Sequence, residues 1–214
     1  MLSVMERKHI ITISGKPGSG KSSTADKIAE LLGYTRHSSG DMVRNILARQ
    51  GMTLAEYNEK AADDHELDTK VDEQLRNLRN KKDIIVDSRL GFYWLPESFK
   101  VYLDLDIQVA TVRIYKDAVN NNMRTKSGEI ANSLDAVSKQ VKTRMEAERR
   151  RFKELYGVDP NNPEHFDLVI DTSRHSPETV ALTIFDTYRR WQKTDTWKPE
   201  RSAIPLGYSF KDQY

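Results

Sequence analysis

The stretch that most constrains this chain is IITISGKPGSGKSST, from Ile10 to Thr24. A short β-branched run breaks into Gly15, Gly18 and Gly20, and then into Lys21 and hydroxyls. The following residues put Ala25, Ile28, Ala29 and Leu32 at helical spacing, with Gly33 as a stop. The order is therefore strand, glycine loop, helix. Gly15, Lys16, Pro17, Gly18, Ser19, Gly20, Lys21 and Ser22 spell Gly, any four residues, Gly, Lys, Ser. Glycines let successive N–H groups curl toward phosphate oxygens, and the helix behind presents its positive end. Lys21 then reaches the β and γ phosphates, and the Ser22 hydroxyl is offered to Mg²⁺. The competing reading is an ordinary turn between strand and helix, with the lysine solvated. The stretch predicts a nest for a nucleoside triphosphate.

Composition excludes several classes. The 34 basic residues are nearly offset by 32 acidic ones, which argues against a general nucleic-acid binder. No cysteine is present, so disulfides, thiolate zinc and a cysteine nucleophile are ruled out. MLSVMERKH lacks the apolar run of a signal peptide, and no segment is apolar for the roughly 20 residues of a membrane span. The expectation is a soluble cytoplasmic protein without a nucleic-acid partner.

Strand patterns recur as HIITIS, YTRHS, DIIVD at 83–87, KVYLDL at 100–105 and FDLVIDTS at 166–173. Helical patterns separate them. Asp41 reads as an N-cap, Gly51 as a stop, Thr53 with Glu56 as a capping box, and Leu67, Val71, Leu75 and Leu78 as one buried face. The polar stretch NNNMRTKSGEIANS precedes a long helix with Leu134, Val137, Val141, Met145, Phe152 and Leu155 on a stripe, and Ser176-Pro177-Glu178 opens a last helix. Strands alternating with helices predict an α/β domain with a central five-stranded parallel sheet over residues 1–193. The tail 194–214 shows no usable period.

A triphosphate site leaves GTPase, motor ATPase and small-molecule kinase open. Arg44, Arg89, Arg113, Arg144 and Arg151 lie near predicted strand ends or on helices, and Arg144 and Arg151 share a helix face. Guanidinium forks suit the pairing of two phosphate-bearing substrates. Alternatively, the arginines at 144–151 form a solvated face paired with Glu146, Glu148 and Glu154.

The glycine loop, SSGDMVRNILARQGMTLAEYNEKAADDHELD, VDSRL, RMEAERRRFKELYGVD and DLVIDTS, in this order, resemble the nucleoside monophosphate kinases, most closely the compact archaeal-type cytidylate kinases. The resemblance runs from about His9 to Arg190 and implies a P-loop NTPase three-layer sandwich with a helical NMP-binding segment (about 41–80) and a lid (about 120–145). It implies transfer of the ATP γ-phosphate to CMP or dCMP, with ATP and Mg²⁺ as cofactors. It places ATP on Gly15 to Ser23, with Thr172 and Ser173 beside the adenine. It assigns Ser39, Gly40, Asp41, Arg44 and Arg89 to the acceptor, Ser22 and Asp87 to Mg²⁺, and Arg113, Arg144 and Arg151 to a lid closing over the phosphates, its tip near Arg124. Two positions depart from the family pattern: Ser88 where glycine is usual, and Ala110 where many members have another arginine that Lys116 or Arg124 would have to replace. Asp64, Asp68 and Asp72 are candidates for reading the exocyclic amino group of cytosine, although all three also fit ordinary caps and solvated helix positions. Kinases of AMP, UMP or shikimate, with Asp41 as the group beside a hydroxyl acceptor, and a P-loop ATPase acting on a macromolecule remain the alternatives.

Overall fold

The computed structural model describes residues 9–52, 66–120 and 133–202. Six strands, β1 (Ile10–Gly15), β2 (Thr35–Ser38), β3 (Ile84–Asp87), β4 (Phe99–Asp104), β5 (Leu168–Asp171) and β6 (Glu200–Ser202), form one sheet in the order β2-β3-β1-β4-β5-β6. Every neighbouring pair is parallel. The expected five strands thus become six. The addition, Glu-Arg-Ser at the sheet edge, is short and charged and carries no apolar alternation by which to find it. It is held by its neighbours: Arg190 makes paired hydrogen bonds to Glu200 at 2.7 and 2.9 Å, and the Trp197 indole donates to the Asp167 carbonyl.

Helices cover both faces, because the strand side chains alternate between them. On one face Ile11, Ile13, Ile85, Val101, Leu103 and Ile170 pack against α1 (Lys21–Leu32) and α7 (Pro177–Gln192), through Ile28, Val180, Ile184 and Tyr188. On the other, Ile10, Ile84 and Val86 meet Leu47 of α2 (Ser39–Arg49) and Leu67, Val71 and Leu75 of α3 (Glu66–Asn77). Beside them Tyr102 packs with Phe92 of the short α4 (Gly91–Trp94), Phe166, and Phe152 of α6 (Leu134–Tyr156). A further α-helix among the described residues, α5 (Ile107–Asn120), packs on α6. The result is a three-layer α/β sandwich.

The cap of α2 is Ser38, whose hydroxyl accepts from the Asp41 N–H, so the helix starts earlier than an Asp41 cap predicts. Asp41 falls in the first turn, where its charge still favours the helix dipole. Gly33 and Gly51 take left-handed φ at helix ends, as expected. On α6 the stripe holds for Val137, Val141 and Phe152, whereas Leu134 is exposed. The Thr53–Glu56 capping box, Asp64 and Arg124 lie outside the described residues.

Candidate active site

The strand order reverses at β1, which is flanked by β3 and β4, and the carboxyl end of such a strand is where an open α/β sheet leaves a crevice. The glycine loop occupies that end. Gly15 has φ of +148°, and a Cβ built on it would lie 2.3 Å from the Leu103 carbonyl oxygen, so no other residue fits without displacing β4. Lys16 ties the loop to β4 through an ion pair with Asp104 at 2.6 Å and a hydrogen bond to the Leu105 carbonyl. α1 begins at left-handed Gly20 with no side-chain cap and no acid in its first turn, whereas serines cap α2, α6 and α7. Its N–H groups and dipole are thereby kept for an anion. The Ser19 hydroxyl is buried in the loop without a partner among the described residues, which fits a ligand with acceptor oxygens.

Lys21 donates to the carbonyls of Gly15 and Lys16, both at 3.0 Å. Burial and the nearby Arg89 pull its pKa down to about 7, against the opposing pull of Asp87 and Glu148. Ser22 donates to Asp87 Oδ2 at 2.7 Å, and Ser39 reaches the Asp87 carbonyl at 3.4 Å. Ser22 and Asp87 are hard oxygen donors side by side, a pair that fits Mg²⁺ when phosphates and water complete its shell. Among the described residues no cluster of three or more His, Cys, Asp or Glu could hold a metal by itself.

Arg89 leaves the end of β3 and donates from Nη1 to the Gly15 carbonyl at 2.9 Å, which fixes it against the loop. Ser88, where the family pattern has glycine, is held in the turn: its hydroxyl accepts from the Leu90 N–H and its carbonyl accepts from the Ser14 hydroxyl. Arg144 is joined to Arg89 by Glu148, which reaches Arg89 Nε at 2.5 Å and Arg144 Nε at 3.1 Å. Arg151 lies on the same helix but pairs at 3.7 Å with Asp68 of α3. Arg113 is elsewhere, donating to the carbonyls of Thr172, Ser173 and Gly18 at 2.7, 3.2 and 3.5 Å. It therefore links the loop to the segment expected beside the adenine. Ala110 is buried under Gly18, where a Cβ on the glycine would come within 3.2 Å of the Ala110 carbonyl oxygen.

The acceptor candidates divide. Arg44 pairs with Asp41 and lies beside Gly40, with Ser39 one residue away. Asp68 faces Arg151, but both carboxylate oxygens of Asp72 are taken, by Trp94 Nε1 at 2.8 Å and by the Tyr156 hydroxyl at 2.6 Å. Asp72 thus ties α3 to α4 and α6. Ser23 is exposed on α1 beside Ser22.

Two charged residues at this site escaped the sequence reading. Arg36 donates to Asp87 Oδ2 at 2.9 Å and also pairs with Asp26 and Asp41. Its signal was strand alternation, which sets Arg36 and Ser38 on one face of β2. Glu148 looked like a surface i, i+4 partner of Arg144, and only folding brings Arg89 to it.

The profile of the cytidylate kinase-like family matches residues 10–174, most of the 214-residue chain. The chain belongs to the cytidylate kinase-like family. Within it, the cytidylate kinase of Halobacterium salinarum is 32% identical over 200 residues, covering 92% of this chain and 94% of that protein. The cytidylate kinase of Sulfurisphaera tokodaii is 34% identical over 178 residues, covering 82% of this chain and 92% of its own. The shikimate kinase of Acinetobacter baumannii, solved with shikimate, superposes with a TM-score of 0.60 at 18% identity over 89% of this chain and 98% of its own, a likeness of fold.

Proposed function

We propose that this protein transfers the γ-phosphate of ATP to CMP or dCMP, giving ADP and the corresponding diphosphate. Membership of the family supports the reaction class, and one observation supports the local reading: Arg89 is hydrogen-bonded to the carbonyl of Gly15, so a guanidinium stands against the glycine loop. The loop N–H groups and Lys21 hold the β and γ phosphates, while Arg89 holds the acceptor phosphate in line with them. A monophosphate acceptor is already largely ionised at neutral pH, its second pKa being about 6, so no catalytic base is needed. Arg144 and Arg151 add positive charge from α6 as the phosphates approach, and Arg113 braces the loop against Thr172 and Ser173 beside the base of ATP. Ser22 and Asp87 would hold Mg²⁺, which supplies charge neutralisation of the phosphates. Ser39, Gly40, Asp41 and Arg44 form the acceptor wall, with Asp68, which faces Arg151 across α3 and α6, our candidate for meeting cytosine. We place the enzyme in the cytoplasm; among the described residues no helix is long and apolar enough to cross a membrane.

A hydroxyl acceptor such as shikimate is disfavoured by Asp41. Its carboxylate is engaged by Arg44 and faces Arg36 at 3.9 Å, so it is already paired with cations rather than presented to a hydroxyl. The deciding measurement is ADP release with ATP and Mg²⁺ against CMP, dCMP, UMP, AMP, GMP and shikimate, with a no-acceptor control. Turnover confined to the cytidine nucleotides is expected. Release indifferent to the acceptor would favour an ATPase with a macromolecular partner.

A further inference from the structure

Glu148 is an anion where the reaction calls for cations. It comes from the middle of α6, its side chain is only 17% exposed, and each of its two carboxylate oxygens engages a different arginine. One, Arg89, is fixed to the loop from the end of β3; the other, Arg144, is on α6 itself. A solvated i, i+4 pair explains neither the burial nor the second arginine, which is 59 residues away in sequence.

We propose that Glu148 is an internal counter-anion that stands in for phosphate between Arg89 and Arg144 and so limits how tightly the acceptor phosphate is held before transfer. This rests on the reading of Arg89 as the acceptor-phosphate clamp. Two oxygens of one planar anion gripped by two guanidiniums is the arrangement that two phosphate oxygens would take. Both contacts run through Nε, so Glu148 turns each guanidinium by its inner nitrogen. Its charge opposes the repulsion that Arg89 and Arg144 exert on the Lys21 ammonium. Burial works to raise the Glu148 carboxyl, but Arg89 and Arg144 outweigh it and hold it below the ordinary range, so it is ionised at neutral pH. An incoming acceptor phosphate meets arginines already partly neutralised, and its ground-state affinity is lower than the bare cations would give. The pair is fully used only when a second phosphate adds its charge during transfer, which is binding reserved for the transition state.

Glu148 is a positioning residue on this account, and its loss should split KM from kcat. Glu148→Gln keeps shape and removes charge. In calorimetric titration with inorganic phosphate it is expected to bind about tenfold more tightly than wild type, with a lower KM for CMP and a kcat lowered about tenfold or more. Phosphate affinity equal to or weaker than wild type would overturn the proposal, as would a raised KM. Should the variant fail to fold without the Glu148 charge, Glu148→Gln combined with Arg144→Gln restores the balance of charge. It is expected to bind phosphate more tightly than Arg144→Gln alone, and equal or weaker binding overturns the proposal. Wild-type protein inert toward CMP would refute the proposed acceptor, while the phosphate titration would still decide the role of Glu148.

Discussion

Asp68 and Asp72 lie one helical turn apart on α3 and look alike in sequence, yet their surroundings give them different tasks. Asp72 accepts from Trp94 and Tyr156 and is buried, and burial raises its carboxyl despite those two donors. Asp72→Ala leaves an indole N–H and a phenol unpaired, and is expected to lower the unfolding free energy by about 1–3 kcal/mol in urea titration. Its KM for CMP should stay within about twofold of wild type, whereas Asp68→Asn should raise that KM with little effect on stability. The reverse pattern would make Asp72 the base contact. Sequence spacing could place both residues on one face of α3, but not the aromatic partners that occupy one of them. Arg36 shows the same limit: its position on a strand face was legible, while its grip on Asp87 depends on the pairing of β2 with β3.

Among the elements, β1, the glycine loop and α1 were the most legible, because each requirement there is local. The strand needs β-branched residues, the loop needs φ values that glycine alone adopts freely, and the helix needs an uncapped start. Gly15 adds a demand from outside, since β4 passes directly against it. Gly15→Ala is expected to cost more than about 2 kcal/mol of stability and to weaken ATP binding together with it, because the Cβ must push aside the Leu103 carbonyl. Denaturant midpoints and ATP titration of the same sample check this; a normally stable variant would mean that β4 yields easily. By contrast, the start of α2 was misplaced by one turn in the sequence reading. Ser38 and Asp41 are both good caps, and the choice falls to Ser38 because it ends a strand paired to β3.

For the molecule as a whole, the described part of the tail is structural. Trp197 packs edge-on to Phe99 at 6.1 Å between centroids and joins the core under α7, and β6 covers the edge of β5. A chain ending at Lys193 is expected to lose about 2–4 kcal/mol, mainly through Trp197, and to show a lower urea midpoint while retaining phosphoryl transfer when folded. An unchanged midpoint would mean that β6 adds nothing to the sheet. The layered α/β architecture was readable from alternating strand and helix patterns. The sixth strand was not, since three polar residues gain their extended form only from an edge that the rest of the sheet provides.

Legible in the sequence alone were the glycine loop between strand and helix, the parallel α/β architecture and the arginines proposed for phosphate. These depend on short-range conditions: backbone torsions, period-two and helical patterns, and caps. Tertiary structure decided which charges meet. Arg89 and Arg144 share Glu148, Arg113 turns to Thr172 and Ser173, and Arg36 takes Asp87. Apart from the Arg144–Glu148 pair within α6, each of these contacts joins segments far apart in the chain, and its strength depends on a distance that only packing of the three layers sets.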